Sequence, residues 1–218
     1  MIEILILTVI LVILAIATVL YLKREYKDET IHQNKKIWYY IIQSIFFAGV
    51  VTLLILNSCN EKPMGFIDLF KWIVILQGAF LIGTTDLYEC KIHNIVLFAL
   101  IVFRVGTMIY ELFVTKNVRT TVLLPLQSMI IASAILLLAR LAIKNSVAFG
   151  DVKLLGVIGL YNSGTAILST MLYCLLANAL MAVVLLVSRK KKIKDSMPMA
   201  PSVFVGLFAE FILRIIGG

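Results

Sequence analysis

The chain has 218 residues, 61% of them hydrophobic and 15% charged, with a net charge of +8 and a mean hydropathy of +1.03. Soluble domains run at roughly 45–50% apolar residues, so a single water-soluble domain is excluded. The positive charge does not indicate nucleic acid either. It is concentrated in Lys23, Arg24, Lys27, Lys35 and Lys36 and in Arg189, Lys190, Lys191, Lys192 and Lys194, directly after apolar runs and without interleaved stacking aromatics.

Taken in chain order, the apolar runs are about as long as a bilayer core is thick, roughly 20 residues each. The first is predicted over residues 2–22, and it reads as a retained span because it lacks a basic leader and is too long for a signal peptide. A charged loop, 23–36, leads to a second span at 37–56, opened by the interfacial aromatics Trp38, Tyr39 and Tyr40. A polar turn at 57–65 holds Pro63 and Gly65. The third span, 66–84, ends at Asp86, and a short loop through Glu89 and Lys91 precedes the fourth, 95–114. After a turn at 115–119 the fifth span covers 121–143. A loop at 144–150 precedes a short helical run, 151–161, opened by Asp151 and closed by Asn162-Ser163-Gly164. The seventh span is 165–187. A basic loop and the Pro198/Pro201 segment lead to the last, 202–216.

The fold class expected is therefore all-α, a polytopic integral membrane bundle of about eight transmembrane segments. It divides into an N-terminal pair of helices with a short basic cytoplasmic loop, 1–65, and a transmembrane core, 66–218. Placing the N-terminus outside puts the loops at 23–36, 86–94, 144–151 and 189–201 inside, where both basic clusters satisfy the positive-inside tendency and face anionic lipid. The same parity brings Asp86 and Asp151 to one face, although neither aspartate entered the charge count. It requires the short 151–161 run to cross in a thinned or tilted arrangement.

A carboxylate beside hydrocarbon is costly, so two of them in matching positions point to a shared chemical task. Two carboxyl groups within reach of each other cannot both ionise easily and share a proton near neutral pH. One then takes a proton from water while the other hydrogen-bonds a carbonyl, which is general acid–base amide hydrolysis without metal or covalent intermediate. The helix start at Asp151 favours its anion, making Asp151 the expected base and Asp86 the expected acid of a pair that titrates as a unit. Gly150 allows a sharp turn and close approach of a substrate strand, or simply opens a helix. Lys153 points away from Asp151 and reads as a snorkelling headgroup anchor. Asn94 either fixes the loop that positions Asp86 or caps the fourth helix. His93, without companions, reads as a solvated loop residue.

Arg104, Arg140 and Glu210 lie in or near spans and serve either function or interhelical pairing. Asp68 and Glu111, near outer ends, are given no catalytic role. The three cysteines, Cys59, Cys90 and Cys174, form no C-x-x-C pair, so neither a zinc site nor a disulfide framework is expected. No cofactor and no metal ligands are expected.

At this point the chain resembles the type IV prepilin peptidases, intramembrane-type aspartic peptidases related to archaeal preflagellin peptidases. Their "D…I-P-N" and "G-x-G-D-x-K-L" segments are matched by Asp86 with Ile92 and Asn94, and by Gly150, Asp151, Lys153 and Leu154. The proline-bracketed segment before their last helix is matched by Met197-Pro198-Met199-Ala200-Pro201. The resemblance covers residue 66 to the C-terminus, with the motifs in family order. His93 stands where the family has proline, and Ala148 where it has the first glycine.

The resemblance implies Asp86 and Asp151 as catalytic residues, with Asn94, Gly150, Lys153, Pro198 and Pro201 shaping the site and its substrate loop. It implies cleavage of type IV pilin-like precursors, in which a basic leader precedes an apolar helix, at the cytoplasmic face of the plasma (inner) membrane. Larger family members carry a cysteine-containing methyltransferase insert after the first span. Only residues 23–36 stand there, so a short, peptidase-only form is implied. Membrane lipids are the other expected partners, and oligomeric state is left open. A small transporter using Asp86 and Asp151 as ion-binding carboxylates is the alternative, but it predicts midplane carboxylates and internal repeats, and none is visible.

Overall fold

The computed structural model describes residues 2–25, 33–59, 63–89, 92–142, 147–187 and 198–217. Its helices are α1 (Ile2–Glu25), α2 (Gln33–Cys59), α3 (Phe66–Glu89), α4 (Asn94–Thr115), α5 (Leu124–Ala142), α6 (Phe149–Tyr161), α7 (Ala166–Val187) and α8 (Ala200–Gly217). No strand occurs among the described residues. The protein is an all-α, multi-pass membrane protein. Cys90, Met197, Lys27 with the rest of 26–32, and the basic run at 189–194 lie outside the described residues.

Among the described residues, six helices have the length and apolarity to cross a membrane: α1, α3, α4, α5 with the turn before it, α7 and α8. Of the other two predicted spans, α2 is a 27-residue helix whose described part, Ile45–Cys59, is apolar. Helix α6 has 13 residues, about 20 Å at the helical rise, against a hydrocarbon core of about 30 Å.

Local chemistry sets several boundaries. Helix α4 ends where Lys116 turns left-handed (φ 53°) and its N–H closes back on the Leu112 carbonyl, a cation placed at the helix's negative end. Helix α5 is preceded by a π-helical turn, Arg119–Leu123, in which the Leu124 N–H bonds the Arg119 carbonyl. Pro125 follows at once and has no N–H to continue an ordinary ladder, which explains the wider turn. Gly164, at φ +60°, supplies the left-handed residue in the break after α6.

Two compact units divide the chain, 1–73 with 212–218, and 74–211. The division falls inside α3, after Ile73, and inside α8, so both helices have residues in each unit. In the first unit α1 lies against α2, and Leu7 and Leu11 of α1 and Val50 and Leu54 of α2 are buried. Gln43 Nε2 ties them by donating to the Ala15 carbonyl (3.1 Å) and to Thr18 Oγ1 (3.0 Å). Asp68 pairs with Lys71 one helical turn on.

The second unit contains the aspartates. Helix α6 lies against α5 and α4 and is buried along almost its whole length. It runs antiparallel to α5: Gly156 faces Ser133, Gly159 faces the Met129 backbone, and the Gly164 N–H reaches the Leu124 carbonyl. It runs parallel to α4, since Lys153 meets Asn94 at one end and Arg104 meets Leu160 at the other. The antiparallel pair α7 and α8 is joined by Ser202 Oγ on Asn178 Oδ1 (2.9 Å) and Cys174 Sγ on the Val203 carbonyl. Residues on the outer face of α4, including Ile95, Phe98, Val102 and Phe113, are exposed, as a lipid-facing surface requires.

Candidate active site

Asp86 ends the apolar part of α3, and its burial leaves only 5% of its surface exposed. One of its oxygens, Oδ2, accepts the backbone N–H of Ala200 at 3.1 Å. Ala200 is the first residue of α8, so this N–H is one of the donors that a helix start leaves without an intrahelical acceptor. Pro201, the next residue, has no N–H to leave unsatisfied and suits the first helical turn. The contact is close because Gly83, one turn before Asp86, has no side chain. A Cβ there would stand 3.2 Å from the Pro201 Cα.

Asp151 lies in the first turn of α6, outside the six long spans. It is 9% exposed. Its carboxyl is pushed up from 3.8 to about 6, first by burial and then by the negative charge of Asp86, while a backbone hydrogen bond from Ala148 pulls it down. The two aspartates are therefore close enough for the charge of one to act on the other. Asp86 takes the backbone donor at the positive end of a helix, α8. At Asp151 the helix start is outweighed by burial and by its neighbour's charge, both of which favour the protonated form.

The remaining predicted residues gather at the same end of this unit. Asn94 is the first residue of α4 but does not cap it. His93, part-exposed, occupies that position without a side-chain cap hydrogen bond. Asn94 Oδ1 instead accepts a hydrogen bond from Lys153 Nζ at 3.3 Å, and the same ammonium stands 5.3 Å from the centre of the Phe149 ring. Lys153 thus ties α6 to the start of α4. Gly150 does not form a sharp turn. It is helical, and among the described residues the left-handed glycine is Gly164. The reason for glycine is packing: a Cβ would press on the Ile92 side chain at 3.2–3.4 Å. Arg140 holds the approach to α6 by donating to the Val147 carbonyl (2.7 Å) and lying 5.9 Å from the Phe149 ring centre. Pro198 precedes α8 and borders an apolar groove that also reaches Leu87.

Comparison of the chain with protein-family models, with curated proteins and with solved structures returned no match. The site's chemistry rests on its own geometry.

Two contributors escaped the sequence reading. The Ala200 N–H is a backbone donor 114 residues from Asp86, and no side-chain pattern announces it. Gly83 was readable in principle, since an isolated glycine in an apolar helix marks a close approach. Arg104 and Glu111 form a pair apart from the aspartates: Arg104 Nε bonds the Leu160 carbonyl at 2.6 Å and its Nη1 lies 3.2 Å from Glu111 Oε2. A buried cation set against the last carbonyls of α6 complements that helix end. Among the described residues no three His, Cys, Asp or Glu side chains cluster as metal ligands would.

Proposed function

We propose that this protein is a membrane-embedded aspartic endopeptidase that removes the short basic leader from type IV pilin-like precursors at the cytoplasmic face of the plasma (inner) membrane. The observation that carries the reading is that two buried carboxyl groups, from α3 and α6, lie near enough for the charge of Asp86 to act on Asp151. The ordered resemblance of their flanking motifs to the prepilin peptidases supports the same reading and supplies the substrate class.

In the reaction, ionised Asp86 takes a proton from a water molecule as its oxygen attacks the scissile carbonyl carbon. Protonated Asp151 gives its proton to the carbonyl oxygen, forming a neutral gem-diol. Collapse of the diol returns a proton to Asp151, breaks the C–N bond, and moves the proton on Asp86 to the leaving amine. The starting protonation state is restored without a covalent intermediate. The leader, being unfolded, offers the backbone that a helix would hide.

The test is cleavage by purified protein in detergent, followed as a gel shift of a candidate precursor. Asp86→Asn and Asp151→Asn are each expected to lower the rate by at least about a thousand-fold while leaving the circular dichroism and melting transition of a folded helical protein. Full activity in either variant sinks the two-carboxylate mechanism.

A further inference from the structure

An apolar groove runs along the second unit between α7 and α8, with a cavity volume of about 700 Å³. Its floor is made of small side chains, Ala177 on α7 with Gly206 and Ala209 on α8, and its walls include Leu180 and Val205, which are 69% and 49% exposed. Gly206 can carry no side chain, because a Cβ would fall 2.6 Å from the Cys174 Cα. The two helix backbones therefore meet closely and leave a trough above their seam. From Tyr173 to Val184 the α7 side of the trough keeps helical spacing, a length of about 17 Å. That is more than half a hydrocarbon core and matches a helix lying lengthwise.

The groove is not isolated from the aspartates. One end is bordered by Leu87, the residue after Asp86, and by Pro198, two residues before the Ala200 N–H that holds Asp86. An apolar helix lying in the trough would leave it beside that carboxylate. We propose that this groove seats the apolar helix of the substrate, so that the chain emerging at Leu87 and Pro198 is delivered to Asp86 and Asp151. The proposal rests on the peptidase reading and deepens it by assigning the surface that recognises the substrate's membrane segment. Small residues on the floor allow close backbone approach, which drives helix association where lipid removes the hydrophobic incentive.

The test separates seating from chemistry. Full-length protein carrying Asp151→Asn in detergent micelles is titrated with two peptides: a lysine-rich leader alone, and the same leader joined to an alanine–leucine helix of about 20 residues. The helix-bearing peptide is expected to bind at least about ten-fold tighter. Ala177→Phe, which fills the floor, is expected to remove that gain. Ala209→Phe does the same from the other wall and serves if the first variant fails to fold. Leu175→Phe, on α7 but outside the groove, leaves the gain intact. Equal binding of the two peptides, or a gain that survives both floor variants, overturns the seat. So does a phospholipid that co-purifies with the unmodified floor and is lost on Ala177→Phe while peptide binding stays unchanged, since the occupant is then a lipid. Cleavage of the helix-bearing peptide is measured separately with both aspartates present. Binding gain without cleavage overturns the peptidase reading, and cleavage without binding gain overturns the seat.

Discussion

Asp151 has a carboxyl held near 6 rather than 3.8, so folding favours its protonated form. The resulting contribution to stability is whole below the unfolded value of 3.8 and is lost as pH rises through about 6. The wild-type protein in detergent is therefore expected to lose about 1–2 kcal/mol between those limits, after allowance for partial solvent screening. Asp151→Asn does not titrate there and is expected to melt higher than wild type at neutral pH. Identical pH dependence of melting in the two proteins would contradict this origin of the shift. Gly150 offers a second test at the same scale. Gly150→Val pushes against Ile92, which a Cβ already approaches at 3.2–3.4 Å, and so displaces the loop between Asp86 and α4. Cleavage is expected to fall at least about ten-fold, and Ile92→Ala in the same chain to restore most of it, because neighbours in contact couple. No recovery in the double variant would argue against a shared packing cause. The identity of both aspartates was legible in the sequence because a carboxylate at the end of an apolar run is conspicuous. The raised titration of Asp151 was not, since it depends on burial and on the charge of a residue brought from another helix.

Among the helices, α6 is the element on which the arrangement turns. It is nearly featureless by amphipathic pattern because, past its first turn, it is buried on nearly every side, with Leu154, Leu155 and Ile158 essentially inaccessible. Its glycines let it lie against α5: a Cβ at Gly159 would stand 2.7 Å from the Met129 Cα, and one at Gly156 would stand 2.5 Å from Ser133 Oγ. Gly159→Leu is accordingly expected to destabilise the protein by about 3 kcal/mol, read as a lowered melting temperature, whereas Gly106→Leu, at a site with open space around it, is expected to stay within about 0.5 kcal/mol. Equal melting of the two variants would mean that α5 yields to α6 without cost. The existence of this helix and its end at Tyr161 were readable from the chain. Its partners were not, because glycine spacing signals close approach without naming what approaches.

At the scale of the molecule, charge parity alone put the loops around Asp86, Asp151 and Pro198 on one face. In the second unit they do meet at one end, through the contacts of Asp86 with Ala200, Lys153 with Asn94 and Gly150 with Ile92. The proposal that this end faces the cytoplasm has a direct test. In a chain with Cys59, Cys90 and Cys174 replaced by serine, a cysteine at Asn117 is expected to react with a membrane-impermeant maleimide added to intact cells. A cysteine at Val147 is expected to react only after permeabilisation. The reverse pattern would turn the protein over and remove the cytoplasmic site.

Composition and run length by themselves determined that the chain is helical and crosses a membrane repeatedly, because apolar stretches of that length have no other stable disposition. The positions of Asp86 and Asp151 were equally plain in the chain. Only the tertiary structure decided that α6 lies against α5 and α4, that Lys153 holds Asn94, and that α8 begins against Asp86. Those outcomes depend on distances between residues far apart in sequence, set by side-chain volume and by the absence of side chains at Gly83, Gly150 and Gly159. Helical periodicity carries no information about such distances.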